Sequence, residues 1–423
     1  MSFGRWLYDL ASNGLGLGLP LLLSRRVRAG KEDASRLNER RASALPPRPA
    51  GKLAWLHGAS VGESMVLLGL AQALLARTDI SILMTSQTQT SAQMLAPRLP
   101  NGTIHQMAPV DTPTVARRFI QHWQPDLAVF AEGEIWPNLL HEASAAGAKL
   151  ALVNARMTEK SREGWARFPG FSREVFGDFD LLLAANQDTA EALTALSGKP
   201  VAQPGNLKTA LPPPMAAPEE LDALKSGFLA GRPCLLAAST HPGEEAVFLD
   251  AAADLQPRPA LIIAPRHPER ATDILAELKT RGLRVAQRSA GAVPDAQADI
   301  LLADTIGEMG LWYRLADAIF LGGATAEEVG GHNPIEPLQL GKRIITGLHG
   351  FNFTDVFAEL EAAGALTMVD TAEALQTALH AELSDQGPQP DAMKIKAYFD
   401  RAAAPMEETV SQLLALLQPE ERA

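Results

Sequence analysis

The sequence is short of sulfur, aromatic rings and cationic charge. Its one cysteine, Cys234 in the apolar run PCLLAAS, excludes an internal disulfide and fits a reducing compartment with the thiol buried in a strand. Aromatic residues make up only 5% of 423 residues that are 46% hydrophobic, so the cores must be built mainly from aliphatic side chains. Lysine and arginine number 38 against 49 acidic residues, and the net charge of -11 argues against a nucleic-acid partner. No Cys/His cluster has metal-ligand spacing and the nine histidines fall mostly in separate loops, so no metal and no cofactor is expected. Fixed-period repeats and low-complexity tracts are absent as well. The length exceeds one ordinary domain, and two are expected.

Also missing is an apolar run long enough to cross a bilayer. The amino terminus reads RWLYDLASNGLGLGLPLLLSRRVRAGK, in which the uninterrupted part from Gly14 to Leu23 is about half of the roughly 20 residues a span requires. Asp9, Ser12 and Asn13 interrupt any extension. Arg25, Arg26 and Arg28 follow directly, where a secretory signal would place a small-residue cleavage site, and basic flanks of this kind stay cytoplasmic. Residues 1–30 are therefore expected to meet a membrane surface as an interfacial or shallow anchor. An ordinary helix packed on the protein is the alternative.

From residue 52 onward short apolar runs alternate with longer amphipathic ones: KLAWLHG then ESMVLLGLAQALLAR, ISILMTS then TSAQMLAPRL, LAVFAEGE then NLLHEASAAG, with further strands at KLALVNA and LLLAANQ. Strand, loop and helix repeated in this way predict a parallel sheet covered on both faces. The proline-rich LPPPMAAP at 211–218 reads as an interdomain linker. A second series follows at PCLLAAS, PALIIAPR, LRVAQR, ADILLAD, AIFLGG and KRIITG, and the chain ends in the helix-like MEETVSQLLALLQ. The expected fold is α/β with two Rossmann-like domains. Boundaries fall at 1–34 for the membrane-associating segment, 35–211 and 212–392 for the two domains, and 393–423 for a terminal helix packing back on the first. Ligands of such sheets bind outside the strands' carboxyl ends, so the loops just after strands are the place to look for chemistry.

Four loop segments stand out. HGASVGES places Glu63 at a helix start, where a carboxylate can take a proton from an attacking hydroxyl; Ser60 and Glu63 equally form the S-x-x-E capping box. AEGEIWPNLL puts Glu132 and Glu134 after a strand, suited either to sugar hydroxyls and transition-state charge or to complementing a helix dipole. A scattered basic set, Arg156 with Asn154 in VNARM, Lys208 in GNLKTA, and Arg266, His267 and Arg270 in APRHPER, suits an anionic substrate such as a nucleotide phosphate or an acidic sugar. Finally, FLGGATAEEVGGHNPIEPLQLGKRIITG leads from glycine pairs into Asn333 and Glu336 at a helix start, where backbone N–H groups can meet phosphate and a carboxylate can accept from ribose hydroxyls.

Taken in order, WLHGASVGES, AEGEIWPNLL, LVNARMTEKS, GNLK, AASTHPGEE, APRHPER, DTIGEM and GGHNPIEP followed by FNF resemble the Kdo transferase family of GT-B glycosyltransferases over about residues 50–360. The resemblance implies inverting, metal-independent transfer of 3-deoxy-D-manno-oct-2-ulosonic acid (Kdo) from CMP-Kdo to a lipid A precursor of the lipid IVA type. That step builds the lipopolysaccharide inner core on the cytoplasmic face of the cell inner membrane. By the same resemblance Glu63 is the proton acceptor, and Glu132 and Lys208 stabilise the transition state. CMP lies on Pro265 and Arg266, on Ile306, Gly307 and Glu308, and on Asn333, Pro334, Ile335 and Glu336. Ser60, Glu134, Arg156, Ser239, Thr240 and His267 are additional candidates. The pattern departs from the family at Gly58-Ala59, Gly133, Thr209-Ala210 and Ala324, none of which removes a catalytic group. A heptosyltransferase-like enzyme, a sugar-nucleotide epimerase and a silent nucleotide-sugar binder are the competing readings.

Overall fold

Strands covered on both faces must be apolar almost throughout, and the LAWLHG run meets that condition with all six residues buried. The computed structural model describes residues 2–291 and 293–418. Met1 of the expected membrane segment, Ala292 of the expected second domain and 419–423 of the expected terminal helix lie outside them. The chain divides into two units, 1–211 with 400–423 and 212–399.

The first unit holds six parallel strands: β1 (Leu53–Gly58), β2 (Ser81–Ser86), β3 (Thr103–Met107), β4 (Leu127–Ala131), β5 (Lys149–Ala155) and β6 (Leu181–Ala184). Their order, β3-β2-β1-β4-β5-β6, is that of a dinucleotide-binding sheet, with the chain reversing between β1 and β4. Because side chains alternate across a strand, Leu53 and Trp55 go to one core with Phe130 and Leu152, and Ala54 and Leu56 go to another with Val129 and Val153. The helix Val61–Leu75 covers the second face. Residues 400–418 return to it: Val410 and Leu413 are fully buried there, and Arg77 pairs with Glu407.

The second unit repeats the plan with β7 (Cys234–Thr240), β8 (Ala260–Pro265), β9 (Val285–Gln287), β10 (Ile300–Leu302), β11 (Ala318–Leu321), β12 (Ile344–Thr346) and β13 (Leu366–Met368), all parallel, in the order β13-β12-β11-β7-β8-β10-β9. Here the reversal falls between β7 and β11. Cys234 opens β7 fully buried, and burial pushes its thiol well above the ordinary range.

The amino-terminal helix runs unbroken from Phe3 to Arg28, through the polar residues that interrupt its apolar pattern. Most of those residues face the first unit. Tyr8 donates to Asp111 at 2.6 Å, Arg5 pairs with Asp9 and donates to the Pro137 carbonyl and Asn138, and Ser12 is buried. Leu19 and Leu23 are buried in the core, while Phe3, Trp6, Leu10, Leu17 and Leu21 project outward. Among the described residues no helix is long and apolar enough to cross a membrane.

Candidate functional site

In each unit the candidate groups gather in loops at the carboxyl ends of the central strands. In the first, β1 ends at Gly58, and Ser60 caps the helix that begins at Val61. One half of the capping box is formed, the Ser60 hydroxyl accepting from the Glu63 N–H at 3.2 Å; in place of the other, the Glu63 carboxylate accepts from the Ser60 hydroxyl at 2.8 Å and reaches one residue further back to the Ala59 N–H at 2.7 Å. Glu63 is thereby held in one position and largely shielded from water. A Cβ at Gly58 would stand 3.0 Å from the Glu63 Cβ, so glycine is what lets the carboxylate fold back over the strand end.

Lys208 joins the other loops to this one. Its Nζ lies 2.6 Å from Glu132 Oε1 and would stand 3.3 Å from a Cβ placed on Gly62, next to Glu63. Asn154, at the end of β5, donates to Glu132 at 3.2 Å and accepts the Leu207 N–H at 2.9 Å, so one side chain fixes both partners of the ion pair. Glu132 and Asn154 adopt the left-handed backbone, with φ of 54° and 50°. Strain of this kind, of order 1–3 kcal/mol per residue, concentrates at functional sites.

Behind them runs a buried polar chain. The Trp55 indole N–H and His57 Nδ1 both meet the Thr85 hydroxyl, at 2.9 and 2.8 Å. His57 Nε2 lies 3.3 Å from Glu134, which also accepts from Trp136 at 2.8 Å. Burial alone would raise the Glu134 carboxyl, but the nearby His57 ring and the bond from Trp136 outweigh it and hold the group below the usual carboxylate range. Glu134 therefore remains an anion. Arg156 is exposed on the neighbouring loop.

In the second unit Arg266, exposed just past β8, is held by its N–H to the Thr240 carbonyl at 3.0 Å. Its charge acts on His241, Tyr313, His332 and Glu336. Burial raises the Glu336 carboxyl, and Arg266 opposes that rise. Pro265 is buried beneath, and Asn333 accepts from the Ile335 N–H at 3.0 Å just ahead of the short helix Ile335–Gln339, whose N-cap is Pro334. In the turn after β10, Ile306 is 76% exposed, Gly307 takes φ of 92°, and Glu308 accepts from Arg288 and the Thr305 hydroxyl.

Not every candidate is free for a ligand. Thr240 is fully buried and its hydroxyl is bound to Glu245 at 2.6 Å, which in turn pairs with Arg270. Ser239 takes a left-handed φ of 55° at the end of β7, and His267 leans on exposed Glu269. His57, His241 and His332 each stand alone in a segment, so residue spacing does not single them out. Their positions within HGASVGES, STHPGEE and GGHNPIEP were the available signal. Among the described residues no group of three or more Cys, His, Asp or Glu side chains has a metal-binding arrangement.

Comparison with known proteins agrees with this layout. The family described as "3-Deoxy-D-manno-octulosonic-acid transferase (kdotransferase)" matches residues 35–211. The 3-deoxy-D-manno-octulosonic acid transferase of Bordetella pertussis is 36% identical over 398 residues, covering 89% of this chain and 91% of its own. That of Rickettsia bellii is 33% identical over 354 residues, covering 83% and 84%. A solved glycosyltransferase from Rickettsia africae is similar in fold, with a TM-score of 0.55 at 13% identity, covering 88% of this chain and all of that one. Two Rossmann-like units of the GT-B type, a carboxylate fixed at the first helix start and relatives at this identity over nearly the whole length place the chain in the 3-deoxy-D-manno-octulosonic acid transferase family of glycosyltransferases.

Proposed function

We infer that the chain transfers Kdo from CMP-Kdo to a lipid A precursor at the cytoplasmic face of the inner membrane, with inversion and without a metal. The observation that carries this reading is the first-unit constellation, in which Lys208 pairs with Glu132 at 2.6 Å and abuts the glycine next to Glu63. Glu63 is the general base on the acceptor hydroxyl. Its capping bonds orient the carboxylate, and each carboxylate oxygen keeps a second lone pair for the substrate proton. Capping and catalysis are thus two uses of one side chain.

As the sugar leaves CMP, positive charge develops at its anomeric carbon and negative charge on the phosphate. The Glu132 carboxylate opposes the first charge, and the Lys208 ammonium meets the Kdo carboxylate or the departing phosphate. Asn154 keeps both in place before substrate arrives, so little reorganisation is needed during reaction. In the second unit Arg266 is suited to phosphate, Glu336 to the ribose hydroxyls, and the exposed Ile306-Gly307 turn to the cytosine. The outward apolar stripe from Phe3 to Leu21, closed by Arg25, Arg26 and Arg28, suits a membrane surface carrying anionic lipid.

The test is CMP release from CMP-Kdo with and without a tetraacylated lipid A precursor in the presence of a chelator, comparing the native chain with Glu63→Ala and weighing the lipid. Acceptor-dependent release, a lipid heavier by whole Kdo units and a variant slower by about 10²–10⁴ are expected. A native chain that binds CMP but transfers nothing would defeat the reading.

A further inference from the structure

Two histidines outside the assigned site flank the chain reversal of the second sheet. His241 directly follows β7, and His332 lies in the segment after β11. Their Nε2 atoms are 2.9 Å apart, with the rings inclined by only 17°. At that separation one nitrogen carries the hydrogen and the other the lone pair, so the rings share a single N–H···N bond and at most one of them is cationic. Each ring keeps its Nδ1 for another partner.

The pair is held, not incidental. Buried Glu244 accepts from the His241 N–H at 2.8 Å, from the Gly323 N–H at 2.8 and 2.9 Å and from the Thr325 hydroxyl at 2.6 Å, tying the loops after β7 and β11 together. A Cβ on Gly323 would come within 2.7 Å of the His332 ring, so that glycine is the seat of the imidazole. The charged and titratable groups facing the two rings are Glu244, Arg266, His267 and Arg270, the last already paired with Glu245. Burial first, then His241, Arg266 and His267, push His332 down to about 4; burial also lowers His241, against the pull of Glu244. The unliganded pair therefore carries no net charge near neutral pH. It sits at the strand ends where sheets of this type take phosphate, within the field of the Arg266 proposed to bind it.

We propose that His241 and His332 act as one phosphate-responsive unit, taking a single proton from solvent when the nucleotide phosphate binds and returning it when CMP leaves. The inference rests on the assignment of CMP to the second unit. Adding one proton preserves the Nε2–H···Nε2 bond and leaves an N–H on both Nδ1 edges. Adding two would set N–H against N–H, so the capacity is one. The charge is useful in the reaction itself. When the bond from the sugar carbon to the phosphate oxygen breaks, its electron pair stays on that oxygen, and CMP ends with one more negative charge than the phosphodiester had. A cationic pair gives that charge a partner and ceases to be cationic when CMP is gone.

Titration calorimetry of CMP into the full chain between pH 6.5 and 8, in buffers of differing ionisation enthalpy, counts the protons taken up. Native chain is compared with His241→Gln and His332→Gln. CMP has its own phosphate proton near pH 6, and the phosphorus shift of bound CMP in each arm gives its share, which is subtracted. Native chain should take up as much as one proton more than either variant. Its affinity should gain on theirs by up to tenfold for each unit of pH lowered, and lose that gain as pH rises through the value of the bound pair. Equal proton uptake by native chain and both variants would overturn the proposal. Should the variants not fold, imidazole nitrogen shifts of the native chain decide: a pair still neutral with CMP bound at pH 6.5 overturns it. A native chain that binds no CMP removes the donor assignment itself, which is a different failure.

Discussion

Replacing Leu10, Leu17 and Leu21 together by serine should detach the protein from membranes without harming its fold. The three side chains are 59%, 89% and 72% exposed, so they contribute little to packing on the first unit but present a little over two leucines' worth of apolar surface to the outside. Burying a leucine is worth about 1.5–3 kcal/mol. Taking the lower end, because an interface buries a helix only partly, the triple variant loses about 3 kcal/mol, or roughly a hundredfold in partition to vesicles. Co-sedimentation with vesicles of mixed zwitterionic and anionic lipid measures the partition, and a thermal melt measures the fold. Exposed substitutions of this kind usually change stability by no more than about 0.5 kcal/mol. Unchanged vesicle binding would refute the assignment of the stripe as the membrane face. A large drop in melting temperature would instead show that the three leucines pack on the protein.

Other perturbations separate chemistry from support. Lys208→Met should lower turnover by about 10²-fold or more with little change in melting temperature, since a partly exposed ion pair contributes only about 0–1 kcal/mol to folding; inactivation matched by unfolding would contradict this. Tyr8→Phe removes a bond to the buried Asp111 carboxylate and should cost about 1.5–3 kcal/mol, read as a lower denaturant midpoint at unchanged slope. Burial acts to raise the Glu308 carboxyl, but Arg288 and Thr305 overcome it and hold the group below its ordinary value. Its contribution to stability is therefore complete above the unfolded value and fades as pH falls through the folded one. Arg288→Ala should flatten the acid side of the second unit's stability curve, and an unchanged acid limb would count against the pair.

The alternation of apolar and amphipathic runs was enough to foretell two parallel sheets, because strands buried on both faces have little freedom to be polar. Two strands escaped notice, β3 with its TIHQM sequence and β13 at Leu366–Met368, and both lie at sheet edges. An edge strand pairs on one side only and is half covered, so its residues need not read as core. In the amino-terminal helix, Asp9 and Ser12 looked like interruptions of an apolar segment, whereas they belong to the face that packs on the protein. A one-dimensional pattern cannot tell an inward polar stripe from a broken apolar one. The Ser60/Glu63 spacing admits capping and catalysis, and the geometry forms the Ser60 half of the cap while the Glu63 carboxylate turns to the Ser60 hydroxyl and the Ala59 N–H. Thr240 shows the opposite limit: a hydroxyl after a strand looked ready for phosphate, but its neighbour Glu245 claims it. The link from Asn154 to Glu132 and Leu207, and the meeting of His241 with His332, depend on loops 22, 53 and 91 residues apart, which no local signal connects.

The lone buried thiol makes the second unit its own unfolding gauge. Cys234 sits in the central strand β7 with no exposed surface, and only the thiolate reacts, so a thiol reagent can label the native protein only after that sheet opens. Labelling rates at increasing denaturant would then report the opening of residues 212–399 alone. A cysteine introduced at buried Ala128 in β4 of a Cys234→Ala chain would report on the first unit by the same chemistry. Two labelling curves, taken on otherwise matched proteins, would show whether the halves of this transferase melt as one body or in turn.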